Sequence, residues 1–109
     1  MLSISPRKIV HIIYLAREGH AASAEVHAFI DGLNEDEQAS LTAVAWIGRG
    51  AFEPEDYDEA VATVLTEATI PAADYLLGMP HLPENLENGL DALGIDVAGE
   101  EEDFLRQGS

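Results

Sequence analysis

The sequence predicts an all-α protein, a compact orthogonal bundle of five or six short helices around one buried central helix. Three observations carry that expectation. Apolar residues recur at three- and four-residue spacing in successive segments, and no run alternates with the period of two that a half-buried strand needs. Helix starts (Ser5-Pro6, Asn34 with Glu37, Glu53-Pro54) and helix stops (Gly19, Gly48-Arg49-Gly50, Gly78, Gly94) punctuate those segments at short intervals. One segment, Leu41–Gly48, is apolar nearly all round, with Thr42 its only polar side chain, the pattern of a helix buried on every side.

Ser5 is placed to cap the first helix, with Pro6 at its first position, where the missing N–H costs nothing. Ile9, Ile12, Ile13 and Ala16 form the apolar stripe, and Gly19 ends it. This helix carries Arg7, Lys8 and Arg17, three of the five basic residues. Arg7 and Lys8 stand at its N-terminus, the wrong end for the helix macrodipole, so a compensating group elsewhere is expected. Ser23 caps a second, short helix with Val26, Phe29, Ile30 and Leu33 on one face, and Gly32 ends its regular part.

The central helix follows. Asn34 and Glu37 have the spacing of a capping box, and Glu35, Asp36 and Glu37 place three carboxylates in the first turn, where the helix dipole favours them. Leu41, Val44, Ala45 and Gly48 share one face; Ala39, Ala43 and Trp46 cover the other. The small residues allow neighbouring backbones to approach closely, and Gly48-Arg49-Gly50 is the stop. Glu53-Pro54 opens a fourth helix with the stripe Tyr57, Val61, Val64, Leu65 and Ala68, which Ile70-Pro71 breaks. A short fifth helix, Pro71–Leu77, ends at Gly78, and Met79–Pro83 is expected to be a stiff turn. Leu86, Leu90 and Leu93 mark the last helix, closed by Gly94; Asn88-Gly89 is a hairpin dipeptide, but no alternating strands flank it. The expected organisation is a single domain, residues 1–94, followed by an acidic tail, residues 95–109.

The 109 residues carry 21 acidic and 5 basic side chains, a net charge of −16. Nucleic-acid binding needs Lys and Arg to neutralise phosphates, so this balance argues against it, and against anionic membranes as well. No run approaches the ~18 apolar residues of a membrane span. The absence of cysteine excludes thiolate chemistry and fits a reducing compartment. The N-terminal apolar run is broken by His11 and lacks a small-residue cleavage pattern, so a cytoplasmic location is expected.

The motifs Ile4-Ser5-Pro6, LNEDEQASL, WIGRGAF and YLLGMPHLPENLENGL together resemble a family of short, mostly proteobacterial proteins built on a domain of unknown function. Its typical member has an Ile-Ser-Pro start, an LNEDEQ-AL-WLGRG core and a late YLLG-P-L-LEEGL segment, so the resemblance covers most of residues 4–94. Two departures stand out: Ala51 follows Gly-Arg-Gly where members often have Asp, and the segment between the first helix and Leu33 is shorter than in many members. The resemblance implies a small helical bacterial domain. It carries over no activity and no catalytic residue.

The chemistry-bearing residues are readily tested against known patterns. Glu53, Glu55, Asp56, Asp58 and Glu59 crowd five carboxylates into seven residues. As a calcium loop starting at Asp56 this fails, because Val61 stands where Gly is required and Ala60 where a ligand is; acids favoured at a helix N-terminus account for it better. His11, His20, His27 and His81 show no paired ligand spacing, so no metal or cofactor is expected. Ser5 and Ser23 serve as caps, Ser40 and Thr42 have no nucleophile-elbow context, and Gly48-Arg49-Gly50 lacks the Lys-Ser/Thr of a phosphate loop. Trp46 and Arg49 remain as candidate interaction residues, since these two types are favoured at interface hot spots; the competing reading has Trp46 filling the core while Arg49 caps its helix and bridges to a nearby acid.

The functional expectation is therefore a non-catalytic helical interaction module that binds a protein partner or a second copy of itself. Two alternatives stand beside it: an acidic decoy that occupies a basic nucleic-acid-binding protein, and a carboxylate-based divalent-metal enzyme or sensor.

Overall fold

Described by a computed structural model, residues 2–18 and 23–95 form six α-helices, with no strand among them. They are α1 (Pro6–Arg17), α2 (Ser23–Asp31), α3 (Glu35–Gly48), α4 (Tyr57–Glu67), α5 (Ala72–Leu77) and α6 (Leu82–Ala92), with one turn of 3₁₀ helix, Pro54–Asp56, leading into α4. Gly19, His20 and the segment from residue 96 onward, which holds nearly all of the expected acidic tail, lie outside the described residues.

The helix starts follow the local code. The Ser5 side chain accepts the N–H of Arg7, with Pro6 in the first turn of α1. At α3 the capping box is complete: Asn34 Oδ1 accepts the Glu37 N–H at 2.7 Å, and Glu37 Oε1 accepts the Asn34 N–H at 3.0 Å. Glu37 does more than cap. Its Oε2 also receives Lys8 Nζ at 2.7 Å, supplying from α3 the acid that the N-terminus of α1 called for. Arg17, at the other end of α1, pairs with Glu87 of α6.

Two helices end in Schellman motifs. After α3 the Ala51 N–H reaches Trp46 O and the Gly50 N–H reaches Ile47 O, with Gly50 at φ +86°. After α6 the Ile95 N–H reaches Leu90 O and the Gly94 N–H reaches Asp91 O, with Gly94 at φ +80°. Both left-handed positions belong to glycine, which lacks the Cβ that would strain there.

α3 is the centre. Ala39 through Ala45 and Ile47 are all buried, and α6, α4 and α5 cover the helix within one chain. Its most extensive neighbour is α6, and small residues allow it. A Cβ on Gly48 would lie 1.7 Å from Asn85 O, and one on Gly89 would lie 2.1 Å from Val44 O. Gly48 is therefore required by the approach of α6, and the stop belongs to Gly50. α1 contributes Ile9, Val10, Ile12, Ile13 and Leu15 to the same core and packs on α6 and α2. Ile4, before α1, is buried too. The buried polar group Ser40 Oγ meets Tyr57 OH at 2.5 Å and accepts the Ser3 N–H at 3.3 Å, which ties the N-terminal segment and α4 to α3.

Two expectations about elements are corrected. Leu82-Pro83 open α6 rather than complete a turn, because proline in a first helical turn loses no hydrogen bond. The expected α4 stripe is only partly a core stripe: Tyr57 is buried, Val61 and Val64 are half-buried, and Leu65 and Ala68 are exposed, while Ala60, outside that stripe, is buried. From Leu65 onward the side chains of α4 are exposed.

Candidate functional site

The C-terminal half of α4 forms one wall of a groove of about 660 Å³. The floor is one stripe of α3, consisting of Glu35, Gln38, Ala39, Thr42 and Trp46, whose spacing keeps them on a single helical face. Thr63, Val64, Leu65 and Glu67 of α4 form the first wall. The linker Ala68-Thr69-Ile70-Pro71 runs along the groove, and Ala72 and Tyr75 of α5 complete the far side. The linker takes this course because Ala68 leaves helical geometry at ψ 125° and the following Thr69-Ile70 precedes a proline, which disfavours another helical turn.

Trp46 lies at one end, half-buried. Its Nε1–H donates to Tyr75 OH at 2.8 Å, and the two rings meet edge to face with centroids 6.4 Å apart. Phe52, brought back by the turn at Gly50, stacks on Trp46 at 5.6 Å with the planes 15° apart. The indole is thus held on two sides while part of it lines the groove. Leu65 and Ile70, 43% and 52% exposed, are large apolar side chains left open to solvent, and both line the same groove. Exposed apolar residues scattered singly mean little; these two border one aromatic cluster in one concavity.

The polar lining is largely committed inward. Gln38 Nε2 donates to Ile30 O, Thr42 Oγ1 to Gln38 O, and Thr63 Oγ1 to Glu59 O. The charged lining residues are Glu35 and Glu67, with no Lys, Arg or His.

The two interaction candidates part company here. Trp46 lines the groove; Arg49 does not. Arg49 is exposed at the end of α3, where its backbone N–H closes on Ala45 O, and its guanidinium forms no ion pair among the described residues. The acids Glu53, Glu55, Asp56, Asp58 and Glu59 are all exposed around the start of α4. Among the described residues no three His, Asp or Glu side chains converge as a metal site. His27 Nε2 meets Asp74 Oδ1 at 2.9 Å across α2 and α5, His81 stands 3.9 Å from Glu84, and the His11 ring lies 4.7 Å from that of Phe29. Ser40 is fully buried on Tyr57 and has no access to a substrate.

Sequence reasoning missed Tyr75, Leu65 and Ile70 as site residues. The available signals were an apolar residue, Ile70, stranded before a proline, and a Val64-Leu65 pair that widens the α4 stripe beyond one buried face.

A family model described as a protein of unknown function, DUF3775, matches residues 23–95, more than half of the chain. The chain belongs to the DUF3775 family. The DUF3775 match runs from the start of α2 to the residue after Gly94 and contains every groove residue; Ile4-Ser5-Pro6 and α1 lie before it. No curated protein and no solved structure matches the chain. No helix among the described residues is long and apolar enough to cross a membrane.

Proposed function

We propose that this chain is a non-catalytic protein-interaction module that binds a segment of a partner protein in the groove between α3, α4 and α5. One observation carries the reading: the exposed Leu65 and Ile70 border the same concavity as the half-buried Trp46 and Tyr75. Aromatic side chains anchored by their own fold, beside apolar ones left open, are what a binding hot spot needs, because little conformational freedom remains to be lost on association. Two of the three lining threonines, Thr42 and Thr63, donate to their own helix backbones, so the groove offers mainly apolar area. A second copy is not needed to cover α3, on which α6, α4 and α5 already pack within one chain.

Site-specific photocrosslinking tests the reading. A photoreactive phenylalanine analogue at position 70 in cells expressing the chain should yield discrete protein adducts. The same analogue at Asn88, exposed on α6 away from the groove, should not. Adducts from neither position, or equally from both, would overturn the assignment.

A further inference from the structure

We infer that the groove's occupant is a basic amphipathic helix from the partner protein, an assignment that rests on the groove being a protein-binding surface. The chemistry of the lining selects the backbone form of the occupant. An extended peptide needs donors and acceptors for its N–H and C=O groups, usually from a sheet edge, and the described residues contain no strand. The side-chain donors of Gln38, Thr42 and Thr63 are already directed to this chain's own carbonyls. Thr69 Oγ1 and the short linker backbone are lining groups not so directed, too few to pair an extended chain along its length, whereas a helix brings its backbone hydrogen bonds already made. The α3 stripe from Glu35 to Trp46 runs about 16 Å at 1.5 Å per residue, room for about three helical turns.

Charge selects the occupant's other face. Glu35 and Glu67 line the groove with no cation to balance them. α4 ends here with no basic residue in its last turn, so the negative end of its dipole adds to Glu67. The molecule as a whole carries −16. Lys or Arg flanking an apolar stripe would meet these groups; a second copy of this chain would bring an equally acidic rim against them, since a two-fold contact pairs a surface with itself.

The chain's single tryptophan reports directly on the groove. Three synthetic peptides of about 14 residues would be titrated against the intact protein, with Trp46 emission as the readout. One is a Leu/Lys amphipathic helix, the second a Leu/Glu helix with the same apolar stripe, and the third a scrambled Leu/Lys sequence of identical composition. The Leu/Lys helix should bind saturably and about tenfold more tightly than the Leu/Glu helix, a factor within reach of two rim ion pairs. That preference should collapse in the double variant Glu35→Gln, Glu67→Gln. Leu65→Gln with Ile70→Gln should abolish binding while the circular dichroism of these solvent-exposed variants stays unchanged. Equal or better binding of the Leu/Glu helix overturns the basic assignment and leaves the groove reading standing. No binding by either helix, or Leu/Lys binding that survives Leu65→Gln with Ile70→Gln or is matched by the scrambled peptide, overturns both. A concentration-dependent dimer dissolved by Ile70→Gln would replace the partner helix with a second copy.

Discussion

At Trp46 one side chain is divided between fold and surface. Its N–H ends on Tyr75 OH and one face rests on Phe52, yet part of the ring lines the groove. A fully buried Trp→Ala change costs roughly 3–5 kcal/mol; with the ring half-buried, Trp46→Ala should cost about 2 kcal/mol in urea unfolding. Tyr75→Phe leaves the edge-to-face contact and removes only the acceptor, so about 1 kcal/mol is expected. Glu37 is committed in a different way. The hydrogen bond from Lys8, with the Asn34 backbone N–H second, holds its carboxyl below the usual carboxylate range. A folded-state pKa below the unfolded one stabilises fully above the unfolded value and is lost as pH falls through the folded one. Glu37→Gln should therefore lower the urea midpoint at neutral pH and show a shallower loss of stability on acidification. Equal acid limbs in both proteins would rule out that role for Glu37.

Among the elements, the contact between α3 and α6 is the one with least room. Gly48→Ala and Gly89→Ala would each drive a methyl into the backbone of the other helix and should cost about 3 kcal/mol or more, the upper end of overpacking. Gly50→Ala has open space around it and pays only for its left-handed backbone, about 1 kcal/mol. A thermal melt of the three variants should rank them in that way; equal costs would mean the helices slide apart to admit the methyl. The same contrast shows what the sequence could disclose. Ser5-Pro6, the Asn34–Glu37 box and the Gly50 and Gly94 turns are written in adjacent residues, and each forms as read. Gly48 is legible in part, as a small residue on the apolar face of α3 that allows a close approach, and Gly89 as a helical residue; that each meets the backbone of the other's helix is not, because the partner lies far along the chain. Leu82-Pro83 was misread for the opposite reason: a proline that starts a helix and one that breaks a helix look alike locally. The groove was illegible as a whole, since α3, α4 and α5 each supply one side and no single periodicity contains it.

Over the whole molecule the dominant quantity is charge. Sixteen net negative charges sit on a chain whose radius of gyration is 12.9 Å and whose extents are 38 × 28 × 23 Å. Two like charges ~20 Å apart in water repel by about 0.2 kcal/mol, small singly and large over the many pairs present. Against this stand the cross-helix pairs Lys8–Glu37 and Arg17–Glu87, whose basic members are 46% and 40% exposed and which contribute about 0–1 kcal/mol each. Repulsion is therefore expected to outweigh attraction, and both are screened together. Raising NaCl from about 0.01 M to about 1 M shortens the screening length from ~30 Å, comparable with the 38 Å longest extent, to ~3 Å. The melting temperature should rise across that range. The Leu/Lys peptide should lose affinity across the same range, because its contacts to Glu35 and Glu67 are attractive and equally screened. A melting temperature that falls with salt would show that the few cations of α1 outweigh the acids they face, and would make α1 the electrostatic clasp of the bundle.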